Sequence, residues 1–488
     1  MVGKKSDEVF RGGKLLGRAA DVEHPYVQEK INKSLKLSLK EGAASSVSFG
    51  SGLSYFSAFA LVMNATASQV GILHAVIGLL PSIIRLKSSQ LMEKFSRKKI
   101  VLWGVLLQSL IMLPMILTGF LFFKGVPYMV WAFIACVGIY YSAMAIVDSA
   151  WFSWMGSLAP EESRGVYFSR RRRICGIFNI ITMISGALML DLSKKISSVP
   201  MEILGFTLIG FGTLFLLSSI ARFYAWAILA RQYEPNLRVG KKDYFSFWQF
   251  IKKAPGNPFG KFAIFKGAMS LAIAISGPFW AVYMLRNLGF SYIWFMAITI
   301  ASPLFQIIFY PLLGRFSDKF GNIKTIKTCV GIWFMVPLFW VASVLITNPL
   351  ALKLYLLIIP GLVSGFASAG YILSSNNYVY DAVSPKKRGF AIAYVNLMIG
   401  LGTFVGAGIA SIIAWVGVPF MNTILFIFLL SAVARLLAFV VGTRYLSEVR
   451  KVKKCPPGEI LTEINPIVGL DHGFHHLEHA VKRIEHYI

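Results

Sequence analysis

The chain has 488 residues, 56% hydrophobic and only 15% charged, with a mean hydropathy of +0.64. Soluble domains carry about a quarter charged residues, so an ordinary soluble enzyme is excluded and a chain built for lipid is indicated. Lys and Arg number 49 against 22 Asp and Glu, a net +27. These basic residues are spread over many connections instead of one stripe, which argues against a nucleic-acid partner.

Residues 1–41 form a charged leader without the apolar core of a secretory signal peptide. Within it Val27, Ile31, Leu35 and Leu39 recur at helical spacing among Lys30, Lys33, Lys36 and Lys40. That pattern predicts an amphipathic helix on an anionic inner leaflet, a poorly ordered tail being the alternative.

Twelve apolar runs follow, centred near Ser54, Leu79, Ile111, Gly138, Ile181, Gly212, Ile273, Ile300, Val336, Gly365, Gly402 and Phe428. Each approaches the roughly 20 residues that cross a bilayer as a helix. The first is the most polar, with Ser45, Ser46, Ser48, Ser51, Ser54 and Ser57, as suits a helix lining water. Six spans occupy residues 42–229, a basic linker residues 230–262, six more spans residues 263–444, and a tail residues 445–488. With both termini cytoplasmic, the outer connections carry only Lys124, Lys194, Lys195, Arg286 and Lys353. The inner ones hold Arg97–Lys99, Arg164 with Arg170–Arg173, the linker cations, Arg315, Lys319 and Lys324, and Lys386–Arg388. This bias predicts a multi-pass cell-membrane protein with both termini in the cytoplasm. Cys136, Cys175, Cys329 and Cys455 show no CxxC spacing and indicate neither a disulfide framework nor a metal site.

The two sets of six spans repeat. Glu93 and Asp318 follow spans two and eight and lie 225 positions apart; Arg164 and Arg388 follow spans four and ten and lie 224 apart. Parallel six-span repeats are a recurring plan of secondary transporters. The loop Gly314-Arg315-Phe316-Ser317-Asp318-Lys319-Phe320-Gly321 resembles the G-x-x-x-D-[RK]-x-G signature of the major facilitator superfamily, although Asn322 stands where a basic residue is usual. The first-half copy keeps Lys94, Arg97 and Lys98 but has Ser89, Glu93 and Ser96 in place of Gly, Asp and Gly. The resemblance covers nearly all of residues 42–444. The run Trp151–Gly156 followed by Arg164–Arg172 is similar to a pattern in prokaryotic members whose solutes are mostly unassigned. The Gly/Pro pattern typical of span five in drug/proton antiporters is missing from Gly176 to Asp191, as is their arginine in span four.

The resemblance implies an all-α fold of twelve transmembrane helices in two pseudo-symmetric bundles around a central site. It places Asp318, Lys319, Gly314, Gly321 and Arg388, with Glu93, Lys94, Arg97 and Arg164, in cytoplasmic gates, and Asp381 is a further candidate partner. The alternative for these charges is an ordinary solvated loop. Spans one, four, seven and ten should line the cavity, making their polar residues the candidates. On span ten Ser364, Ser368, Tyr371, Ser375 and Tyr378 share a helical face, with Asn376 and Asn377 beside it. Span four offers Tyr141, Asp148, Trp151 and Trp154, span one Ser48, Ser51 and Tyr55, and span seven Ser270 and Trp280. Aromatic plates with hydroxyls and amides suit a small amphipathic or polyhydroxylated solute. The competing roles are close helix packing for serines and interfacial anchoring for Trp and Tyr.

An ionisable group at membrane depth is expensive and hence a functional candidate. Asp148 ranks first, roughly 18 Å inside its helix at 1.5 Å per residue, and is the candidate carrier of a coupling proton. Lys266 and Arg222 are expected to snorkel to the cytoplasmic surface; Arg435 lies deeper. His472, His475, His476, His479 and His486 crowd the tail, where Phe474, Leu477, Val481, Ile484 and Ile488 form an apolar seam that favours packing over metal binding. With no Walker A loop, HExxH or GxSxG, and no cofactor indicated, the expectation is a monomeric secondary transporter of a small organic solute, not an enzyme. An exporter of amphipathic compounds and a non-transporting sensor or scaffold are the alternatives.

Overall fold

The computed structural model describes residues 25–158, 164–196, 198–235, 247–383, 388–450 and 452, without the side chains at 25, 89, 164–166, 247–249 and 388–390. The histidine-bearing tail, most of the leader and much of the linker lie outside the described residues, as do the side chains of Arg164 and Arg388.

Among the described residues there is no strand, and eleven helices are long and apolar enough to cross a membrane. They are α2 (Ala67–Leu86), α3 (Arg97–Phe123), α4 (Met129–Leu158), α5 (Arg164–Ser193), α6 (Pro200–Ala230), α7 (Pro258–Asn287), α8 (Tyr292–Phe320), α9 (Asn322–Leu345), α10 (Pro349–Ala382), α11 (Arg388–Val416) and α12 (Thr423–Tyr445). The polar first span completes the set as α1, which runs Pro25–Ser51, tightens at Leu53–Tyr55 and resumes at Phe56–Val62. Its break falls at Gly52, where α6 comes so close that a Cβ would meet Ser218 Oγ at 2.5 Å.

Helix starts follow local chemistry. Thr66 and Gln69 form a reciprocal capping box on α2, while Asn257 and Asn348 cap α7 and α10 just before Pro258 and Pro349. Gly321, at φ +96°, makes the sharp turn from α8 into α9.

The helices pack twice in the same pattern. Within the first bundle α1 packs on α5 and α6, and α2 on α4; within the second α7 packs on α11 and α12, and α8 on α10. Individual bonds repeat as well. Ser218 Oγ donates to Ser48 O at 2.9 Å in the first bundle, and Ser431 Oγ to Ala272 O at 2.7 Å in the second. The bundles meet along α2–α11 and α5–α8. In the first of these seams Gly78 and Gly400 bring the backbones close against Thr403 and Ser82, the use small residues have in lipid.

The stripe of Val27, Ile31 and Leu35, expected on an anionic leaflet, faces the protein. It continues α1 and packs with Trp154, Met155, Leu158 and Leu229 at the end of the first bundle nearest the termini. Ser34 Oγ accepts from Tyr233 N at 2.8 Å, and Glu41 pairs with Arg171 at 2.7 Å. The reason is that these bundle-end side chains offer an apolar surface of their own, which the stripe covers.

Candidate functional site

A cavity of about 390 Å³ lies between the bundles. The first bundle contributes Leu53, Ser54, Ser57 and His74; the second contributes three tryptophans, Trp280, Trp333 and Trp340, with Ser302, Ser364 and Arg435. Ser57 Oγ and His74 Nε2 share a hydrogen bond of 3.0 Å, and Ser302 donates to Ser364 at 3.0 Å. Trp280 stacks on Phe428 with centroids 4.2 Å apart and leans on Trp340 at 4.8 Å. Arg435 is only 2% exposed. It donates to Ser276 Oγ at 2.9 Å and Trp333 O at 3.2 Å, while its Nε has no partner. Among the described residues no acidic side chain lines the cavity.

Beyond the cavity, at the end opposite the termini, the bundles are tied together. Asp191, near the end of α5, accepts from Tyr292 N at 2.8 Å and Ile293 N at 2.9 Å. A carboxylate there satisfies free N–H groups at the start of α8 and complements its dipole. Arg286 donates to Ala65 O at 2.9 Å, joining α7 to the turn before α2. Lys194 lies 4.2 Å from the Tyr292 ring centroid. Desolvation pulls this ammonium below its ordinary pKa, and Asp191 offsets part of that.

Of the cavity candidates read from the sequence, Trp280 and Ser364 line this space. The rest of the span-ten stripe is turned to other uses. Gln306 donates to Ser368 at 2.9 Å and Ser374 donates to Ser317 at 3.3 Å, so with Ser302–Ser364 the serines zip α10 to α8. Tyr371 and Ser375 are buried with unpartnered hydroxyls, and Tyr378 donates to Ser447 O at 3.1 Å. Asn376 is exposed, whereas Asn377 and Ser270 are half-buried. Ser48 bonds α6, Ser51 bonds its own helix at Val47 O, and Tyr55 donates to Met183 O on α5. Tyr141 packs edge-on to Phe56. Trp151 is covered by the Arg171 guanidinium at 4.2 Å, and Trp154 is fully buried, donating to Tyr233 O at 2.9 Å. Asp148 is half-buried on α4.

Arg222 does not snorkel. It donates to Gln108 Oε1 and to Ser45 Oγ, because hydrogen-bond acceptors inside the bundle are nearer than water. Lys266 lies 4.2 Å above the Tyr371 ring.

At the end nearest the termini, each bundle carries a polar latch. Arg97 is buried and reaches Ser153 O at 3.0 Å, Ser157 Oγ at 3.2 Å, Glu234 at 3.4 Å and Pro235 O at 2.9 Å. In the second bundle Asn322 donates to Asp381 at 2.7 Å and accepts from Ser317 at 2.7 Å. Arg450 pairs with Asp381 at 3.2 Å and donates to Ser317 O at 3.1 Å. Glu448 accepts from Ile323 N at 2.9 Å at the start of α9, beside Gly321. Glu93, Lys94 and Asp318 are exposed, and Gly314 is half-buried. Neither Glu93 nor Asp318 has an ion pair among the described residues. Glu234, Glu448 and Arg450 were not singled out by sequence reasoning. Their signal was weak: single charges after the last span of each half, one of them in a segment rich in other cations.

Residues 262–480 match the family described as Major Facilitator Superfamily. No curated protein sequence matches the chain. Among solved structures, the nucleoside transporter NupG is similar at 14% identity and TM-score 0.62, covering 85% of this chain and 99% of that one. A bacterial homologue of the iron transporter ferroportin in an inward-facing state is similar at 16% identity and TM-score 0.62, covering 86% and 99%. An auto-inhibited POT family peptide transporter is similar at 12% identity and TM-score 0.62, covering 87% and 98%. The match to the Major Facilitator Superfamily thus spans the second bundle, less than half of the chain, while the fold of these solved transporters is shared across both bundles of this multi-pass membrane protein.

Proposed function

We propose that the protein is a secondary transporter that carries a small organic solute across the cell membrane by alternating access. The observation that carries this reading is the cavity itself: both repeated bundles line it, and among the described residues hydrogen bonds at Asp191 and Arg286 tie the bundles beyond it. Contacts of this kind contribute about 1–3 kcal/mol each, small enough for two states to remain populated. The positive-inside bias of the sequence puts the tied end outside and the termini in the cytoplasm. Asp148, half-buried on α4, is the group through which flux would couple to a proton gradient.

The test uses spin labels on Val126→Cys and Leu350→Cys, one exposed site at the tied end of each bundle, with the native cysteines replaced. Alternating access predicts two inter-label distances whose proportions respond to solute. A single distance, insensitive to every solute that stabilises the protein, would rule the mechanism out.

A further inference from the structure

The two bundles place an arginine at corresponding positions on their last helices. Arg222 and Arg435 are 213 positions apart, as are Ser218 and Ser431, which make the repeated bonds between first and last helix in each bundle. In the first bundle Arg222 is met by the side-chain oxygen of Gln108. The corresponding residue 225 positions on is Trp333, which offers Arg435 only its backbone carbonyl. The change removes a carboxamide acceptor from the arginine and adds an indole to the cavity wall. What remains is a buried guanidinium with a free Nε, its charge unmatched by any ion pair among the described residues, lining a space walled by Trp280, Trp333 and Trp340.

A second cation sits in the same bundle. Lys266 lies over Tyr371, whose ring lies 5.3 Å from that of Trp333, and Lys266 likewise has no acidic partner among the described residues. Two inward cations without a carboxylate are expensive in lipid unless something anionic visits. A planar guanidinium takes a carboxylate by paired N–H···O bonds, and indole faces take a flat apolar body.

We infer that this cavity binds an amphipathic organic anion, its carboxylate on Arg435 and its aromatic or flat apolar body among Trp280, Trp333 and Trp340. The inference rests on the transporter reading only for where such a molecule would go, not for whether it binds.

The experiment titrates full-length protein in lipid nanodiscs with indole-3-propionate, its uncharged amide and the corresponding amine, plus inorganic phosphate, following thermal stability and tryptophan fluorescence. The acid should bind at least tenfold more tightly than the amide, with the amine and phosphate weaker still. Arg435→Gln should abolish the acid-over-amide preference, and Arg435→Lys should restore part of it. Equal binding of acid and amide by the unaltered protein overturns the inference without recourse to any variant, as does an undiminished preference in folded Arg435→Gln. Phosphate binding as tightly as the acid would overturn the aromatic half of it. Acid binding without solute-responsive label distances would leave this inference standing and remove the transport mechanism; the converse would remove the anion alone.

Discussion

Arg97 and Asn322 hold the same place in the two bundles, 225 positions apart, and each bonds across to the end of the fourth helix of its own repeat, at Ser157 and at Asp381. The guanidinium has changed sides. In the first bundle it belongs to the start of α3 and meets Glu234 after α6; in the second it belongs to Arg450 after α12 and meets Asp381 at the end of α10.

This difference predicts unequal losses. Arg97→Ala leaves several buried acceptors and Glu234 unpaired, and should lower stability by about 3 kcal/mol. Asp381→Asn keeps an acceptor for Asn322 and loses only a partly exposed pair, about 1 kcal/mol or less. Thermal denaturation of both variants in one detergent checks the order; equal shifts would count against the latch assignment.

Asp191→Ala removes the acceptor shared by Tyr292 N and Ile293 N, worth about 1–2 kcal/mol for a helix cap. Because that bond spans the two bundles, the loss should favour separation at that end by roughly 5–30-fold in population. The Val126/Leu350 label distances should lengthen, while Asp191→Asn, which retains one acceptor oxygen, should move less.

Asp148→Asn should eliminate solute uptake driven by an imposed pH gradient in proteoliposomes while solute exchange without a gradient persists. Unaltered gradient-driven uptake would take the proton-carrying role from this residue.

Ile31→Asp places a charge where α1 packs on Trp154, Met155 and Leu158. Burial of an unpaired charge there should lower the melting temperature and yield of folded protein far more than Lys33→Asp on the exposed face of the same helix. Similar behaviour of the two variants would mean that this end of α1 does not pack on the bundle.

The sequence by itself determined the helical plan. Apolar run length, the 224–225 spacing and the Gly314–Gly321 motif identified the fold, since lipid admits few backbone solutions and period and composition report them directly.

Which face each polar residue presents was decided only by tertiary packing. In lipid, water does not compete for a serine hydroxyl, so a polar stripe is as useful for joining two helices as for lining a cavity, and both uses carry the same spacing. Ser364 and Ser368 of the span-ten stripe went to α8; Trp154 was spent at the bundle end on Tyr233; and Arg435, a single cation in an apolar run, became a cavity wall because a residue far away in the chain is Trp333 and not a second Gln108. Such pairings depend on which helices neighbour one another, and one-dimensional periodicity holds no record of that.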